Sequence, residues 1–415
     1  MQFSSKYREI RKIFFQDFYY QGSVADRIND GSKEIKFGDQ TVYMGQALIF
    51  LATELPILEA SGSDTSDTIA KITEILDMID TLDDQAEEFY GFPSNRNGFI
   101  VRDNFRTVAD SRLAGRWTSL IADGKDPNNN SPSGDQLFGL LYGLWFVKRF
   151  APTAEISNRC IELVDRIYCY AMRCKFFLKL PNGDPTRRGA DCQWLSSLLH
   201  GLAKSITEKD RFNESKIDIM DILHGAPGGV SIIPRSNELD TLIKILVSTG
   251  LLKSTETGLQ GIASFWDDAG GNASEVLGSE IEIPILKRIE RLKDFKLKVK
   301  SFSSNIILMA IAPTEIWSSD EFENAAISVN HHFAALWYAL AHGTTPKKFT
   351  KADIYRILEG CPDSGPRSGL PPNTGWQTDN RWIRCSDIDK PTDPGYRYFG
   401  VDFLMFHNIC EIVFR

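Results

Sequence analysis

Ser133-Gly134-Asp135-Gln136 followed by LFGLLYGLWFVKRF (137–150) is the stretch that decides the fold. An Asp able to cap a helix opens a run that is apolar on nearly every face, so the run reads as a helix buried all round. Gly139 and Gly143 sit inside it. A glycine within a helix costs roughly 1 kcal/mol against alanine, so two of them point to a neighbouring helix packed very close.

The same pattern recurs along the chain. Gly38-Asp39-Gln40 opens TVYMGQALIFLATEL, and Gly189-Ala190-Asp191-Cys192-Gln193 opens WLSSLLHGLAKSI. Asn330-His331-His332 opens FAALWYALAHG, and Gly400-Val401-Asp402 opens FLMFHNICEIVF. Ser304-Asn305 before IILMAIA is a weaker case. Small residues recur within these runs, among them Gly45, Gly201, Ala334 and Ala335. Between them lie amphipathic segments at 66–90 and 153–177, the second with Ile156, Cys160, Leu163, Ile167 and Tyr170 at steps of three and four, and shorter ones at 238–248 and 283–297. All-apolar helices alternating with amphipathic ones are what an inner and an outer ring require.

These features predict a single all-α domain over 1–415, with inner helices near 39–55, 135–150, 191–206, 303–312, 330–343 and 402–414. The 139 residues from Asp191 to Asn330 leave room for an insertion near 207–282. VSII at 230–233 is the best strand signal.

This alternation resembles the (α/α)6 toroid of the six-hairpin glycosidase superfamily, and the resemblance covers most of the chain as a pattern. Ser133-Gly134-Asp135-Gln136 with LFGLLYGL is also similar to the inner-helix starts of unsaturated glucuronyl hydrolases and their relatives. The resemblance implies a toroid with long loops at one end. It also implies a sugar-binding cleft there, formed by the inner-helix N-termini and the loops before them.

Composition agrees with a folded domain. Apolar residues make up 42% of 415, charged residues 25% and aromatics 11%, enough for a large core. The net charge of −8 argues against a nucleic-acid partner, since such proteins carry a basic excess. No run of 18 apolar residues is present, so no membrane span is expected. MQFSSKYREIRKIFFQDFYY lacks the features of a signal peptide, which leaves a cytoplasmic protein, a chain given without its leader, or a viral-particle component. Seven cysteines without a Cys-x-x-Cys pair read as reduced, buried thiols. Asp123-Gly-Lys-Asp126-Pro-Asn128 has the start of a calcium loop, but Gly134 stands at the twelfth position where Glu is needed. No metal and no cofactor is expected, and the sequence leaves the oligomeric state open.

Two long loops precede inner helices. The first, 91–134, holds Arg96, Arg102, Asp103, Arg106, Arg112 and Trp117; the second, 360–400, holds Trp376, Asp379, Arg381, Trp382, Arg384 and Asp387. Tryptophan faces stack on sugar rings and arginine forks grip carboxylates, so Arg102, Asp103, Trp376, Asp379, Arg381 and Trp382 are candidate substrate contacts. The same residues would equally serve as a plug in which Arg and Asp pair with one another. Asp39 and Asp402 read as helix caps. Asp83-Asp84 and Glu87-Glu88, at the end of an outer helix, read as a solvated acidic face.

Asp135 and Asp191 follow turn-rich loops and form the candidate catalytic pair, because a glycosidase needs two carboxyl groups roughly 5–9.5 Å apart. Arg187 and Arg188 beside Asp191 would hold an anionic sugar. His331 is a candidate general base for a lyase, with a buried cap region as the other reading. The function expected is a hydrolase or lyase acting on an acidic oligosaccharide or polysaccharide. A non-catalytic glycan-binding or assembly protein is the alternative.

Overall fold

Helices α2 (Gln40–Ala60) and α4 (Gly134–Phe150) pack with almost nothing between their backbones. A methyl group on Gly45 would lie 2.0 Å from the Gly139 carbonyl oxygen, and one on Gly143 would lie 2.6 Å from that of Gly45. The glycines inside the apolar runs therefore do what their cost implied. Because Asp39 meets Gln136 while Gly45 meets Gly139 and Gly143, the two helices run in the same direction.

The computed structural model describes residues 5–25, 27–91, 93, 96–104, 111–113, 118–119, 132, 134–174, 178–183, 196–209, 318–328, 331–366 and 395–415. The expected helices at 238–248, 283–297 and 303–312, the strand at 230–233 and most of the expected insertion lie outside these residues. The described chain is mostly helical, in agreement with an all-α class.

The other apolar helices follow the direction of α2 and α4. They are α6 (Ser196–Thr207), α8 (His332–His342) and α10 (Val401–Val413). Trp145 Nε1 donates to Ser205 Oγ at 2.9 Å, and three residues on Lys148 pairs with Glu208 just past α6. The Trp145 and Trp337 rings are 5.9 Å apart, and further along both helices Arg149 donates to the Leu340 carbonyl. On α10, Asn408 donates to the Phe50 carbonyl and Arg415 to that of Pro56. Parallel helices gather the partial negative charge of their C-terminal carbonyls at one end. Arg149 and Arg415 place guanidinium donors on those carbonyls.

Outer helices return alongside. After α2 comes α3 (Ser66–Phe89), after α4 comes α5 (Ala154–Arg173), and α7 (Ser319–Ser328) and α9 (Lys351–Glu359) flank α8 and α10. Of these, α7 and α9 were not anticipated. The N-terminal α1 (Ser5–Ile13), continued by a π-helical turn at Phe14–Phe18, is also new. It is fixed by a buried polar knot. Glu54, 1% exposed, accepts from Tyr7 at 3.0 Å, Arg11 at 2.8 Å and Thr68 at 2.7 Å, and Asn408 donates to the Tyr7 hydroxyl. One carboxylate thus joins α1, α2 and α3, and the tyrosine extends the link to α10.

Among the described residues α2 is the one helix long and apolar enough to cross a bilayer by length and composition. In this fold 89% of its apolar window is buried between its neighbours.

Short strands add what sequence periodicity missed. β1 (Tyr19–Tyr20) and β2 (Ser23–Val24) form a hairpin through Gln21 and Gly22, both at positive φ, the geometry that suits the twist of a two-residue loop. β3 (Arg27–Asn29), β4 (Ile35–Lys36), β5 (Thr118–Ser119) and β6 (Tyr396–Tyr398) form a sheet in the order β5-β4-β3-β6. Two or three residues per strand are too few for an alternating pattern to register. The sheet collects the segments before α2, α4 and α10. Residues of the 91–134 and 360–400 loops therefore form the two edges of one sheet at the N-terminal end of the parallel helices. Cys160, Cys361 and Cys410 are buried free thiols, and Cys169 and Cys174 are free and half-buried.

Candidate functional site

The N-terminus of α2 is held by residues from two other segments. Asp39 occupies the cap position but makes no side-chain cap bond. Its Oδ1 accepts from Gln136 Nε2 at 2.9 Å and faces Arg102 at 3.4 Å. A local cap is worth about 1 kcal/mol, whereas hydrogen bonds to charged groups are worth more, so the carboxylate turns to its neighbours. Asp103 acts in its place and accepts from the Gln40 N–H at 3.4 Å. Gln40 in turn donates to Ser23 Oγ and accepts from the Asn104 N–H, both at 2.9 Å. Asp39, Gln40, Arg102, Asp103, Asn104 and Gln136 are all buried.

The expectation that Asp402 caps α10 is also corrected. Gly400 is the cap residue, and Asp402 lies within the first turn, accepting from the Phe403 N–H. Burial pushes its carboxyl up to about 7 against the pull of that N–H. At the start of α8, His331 rather than Asn330 is the cap. Its Nδ1 accepts from the Ala334 N–H at 3.2 Å, so the neutral ring carries its proton on Nε2. His331 is fully buried.

Above these termini the sheet presents cations around an aromatic ring. Register places Arg27, Lys36, Tyr396 and Tyr398 on one face and Ile28, Ile35 and Arg397 on the other. Lys36 Nζ is 4.8 Å and the Arg27 guanidinium 5.4 Å from the Tyr396 ring centroid. The Tyr396 hydroxyl donates to Glu34 at 3.3 Å. Arg27 and Lys36 are half-buried, which leaves part of each in contact with solvent. Arg397, on the opposite face, bridges Asp17 and Asp30.

Of the residues singled out from sequence, Arg102 and Asp103 come together in the α2 clasp, and His331 lies at the start of α8. Asp135 is the second residue of α4. Asp191, Arg187, Arg188, Trp376, Asp379, Arg381 and Trp382 lie outside the described residues. Counting back from the Trp145–Ser205 contact at equal rise, the first residue of α6, Ser196, stands level with Gln136. Sequence reasoning noted Gln40 and Gln136 only as parts of helix-opening motifs and missed Asn104, because an uncharged amide carries no chemical signature. It also missed Arg27, Lys36 and Tyr396, which are distant in sequence and meet only through sheet register.

Asp83 and Glu87 are not part of a solvated face. They are 1% and 3% exposed and hold the segment that follows α3. Among the described residues no group of three or more His, Cys, Asp or Glu could hold a metal ion. Comparisons of the chain with family models, with curated proteins and with solved structures give no match.

Proposed function

We propose that the chain is a carbohydrate-active protein that takes an acidic oligosaccharide at the end where the parallel helices begin. One observation carries this reading. The N-termini of α2, α4, α6, α8 and α10 face the end at which Arg27, Lys36 and Tyr396 share a sheet face. Each helix start contributes roughly half a positive charge, so their convergence favours an anionic ligand. Half-buried cations at that end suit a uronate, whose carboxylate needs a cation.

In the catalytic form of this proposal, Asp135 and Asp191 act as the acid pair of a hydrolase or lyase. The adjacency of α4 and α6 supports it, because Asp135 opens α4 and Asp191 precedes α6 by five residues. The toroid suggested by sequence resemblance belongs to this proposal as well. The parallel course of the apolar helices and the antiparallel return of α3 and α5 are consistent with it.

The non-catalytic alternative has its own support. Asp39 and Asp103 are engaged in holding helices together, as a plugged helix end would require.

Turnover on a panel of uronate-containing oligosaccharides separates the two readings. In the catalytic reading Asp135→Asn and Asp191→Asn each lower turnover by roughly 10²–10⁴-fold with binding retained. Binding without turnover in the wild type supports the alternative. Absence of binding to every acidic glycan overturns the catalytic and glycan-binding readings and favours an assembly role.

A further inference from the structure

The segment 96–104 is a strap tied down at both ends. At its far end Arg102, Asp103 and Asn104 form the α2 clasp. At its near end the backbone N–H groups converge on Asp83. The carboxylate accepts from the Asn97 N–H at 3.1 Å and from the Gly98 N–H at 3.1 Å and 3.2 Å. Gly98 has φ +91, and a methyl on it would lie 2.1 Å from the Arg166 carbonyl oxygen, so the strap presses directly on α5. Beyond it Phe99, Ile100 and Val101 are buried, and the Val101 N–H donates to the Leu82 carbonyl.

We propose that Asp83 is a pH-sensitive anchor which holds the strap, and through it the Arg102-Asp103-Asn104 clasp at the start of α2, more loosely as the solution passes from acid to neutral.

The direction follows from what surrounds the carboxylate. On α3, Asp80 and Glu87 lie one turn either side of Asp83, and Asp84 is adjacent. From α5, Arg166 Nε approaches Asp83 at 3.4 Å, but its other end is bound to Asp80, as is Arg159. Tyr170 and Arg173 lie further along α5, Arg173 donating to the Asn97 carbonyl. From the strap, Arg96 is committed to Asp84 and Asp80, and the Asn97 amide donates to Glu87. The nearby cations are thus shared among several acids. Burial dominates and pushes the Asp83 carboxyl up to about 7, with the strap N–H groups and Arg166 opposing and Glu87 adding to the rise.

Lifting the strap would return the group to water and to the ordinary carboxylate range near 4. A carboxyl whose value is higher in the closed state favours closure at low pH. That preference weakens roughly tenfold per pH unit between about 4 and 7 and is lost once pH has risen through about 7. The inference rests on the strap alone and holds whether or not a saccharide binds.

The test is amide hydrogen exchange of the strap from pH 6 to 8.5, corrected for the intrinsic rate. Amides in the middle of α2 serve as reporters of global opening. In the wild type the opening equilibrium of the Gly98 and Val101 amides should rise about tenfold over that range, nearly all of it below pH 8. In Asp83→Asn, which keeps an acceptor oxygen and cannot ionise, it should stay within about threefold. Burial also pushes the Asp402 carboxyl up to about 7, so the comparison between the two proteins isolates Asp83. No rise in the wild type, or an equal rise in the variant, overturns the proposal. If the variant does not fold, the wild-type profile decides: a rise in strap exchange that exceeds any rise at α2 supports the anchor, and equal rises overturn it.

Discussion

Gln136 Nε2 lies 2.9 Å from Asp39 Oδ1, so the first turn of α4 donates to the residue that opens α2. The contact converts a residue expected to serve its own helix into a tie between two helices. Asp39→Asn therefore separates the two roles. A simple cap tolerates Asn almost without loss. Here the variant keeps an acceptor for Gln136 but withdraws the charge facing Arg102, and about 1–3 kcal/mol of unfolding free energy should be lost. Denaturant titration with and without the substitution measures it.

The glycine seam gives the most severe packing prediction. Gly45→Ala gains roughly 1 kcal/mol of helix propensity. The added methyl meets the Gly139 carbonyl at 2.0 Å, which the two backbones can relieve only by moving apart. Overpacking of this kind costs about 1–3 kcal/mol or more, so the net effect is loss. A variant at least as stable as the wild type in thermal melting would mean that α2 and α4 do not meet along this seam.

Much of this fold was legible because apolar periodicity is a property of each segment by itself. Asp135 to Phe150 announces a buried helix wherever it is placed, and Gly45 and Gly139 announce a close neighbour without naming it. Pairing is different. That Asp39 faces Gln136, or that Lys36 and Tyr396 share a sheet face, depends on register between distant segments. The acids of α3 show the same limit. Asp83 and Glu87 look solvated by composition, and only the Arg166 and Asn97 contacts reveal that they are inside.

Asp402 makes stability depend on pH with a definite sign. Its carboxyl is raised from 3.8 to about 7 by burial, so its stabilising contribution is full below about pH 4 and lost as pH rises through 7. Asp402→Asn lacks this dependence. The stability of the variant relative to the wild type should grow between pH 4 and pH 8 by up to roughly 4 kcal/mol. Urea unfolding at the two pH values measures the difference, whatever constant offset the amide introduces. A constant difference would show that Asp402 is not buried as described.

The Glu54 knot predicts a large loss from a single substitution. Glu54→Ala leaves Tyr7, Arg11 and Thr68 without their shared acceptor. Removing one partner of a buried pair typically costs about 3–5 kcal/mol, and the half-buried setting of Arg11 places the value near the lower figure. Tyr7→Phe, which keeps the ring, should cost about 1 kcal/mol.

The direct test of ligand placement is photo-crosslinking with a uronate oligosaccharide carrying a diazirine, followed by peptide mapping. Cross-links are expected in 27–40, 96–104 and 395–402, at the end where the parallel helices begin, and competition by unlabelled oligosaccharide should remove them. Competable cross-links confined to 57–63, 148–152 and 206–209, at the end where α2, α4 and α6 finish, would contradict the assignment.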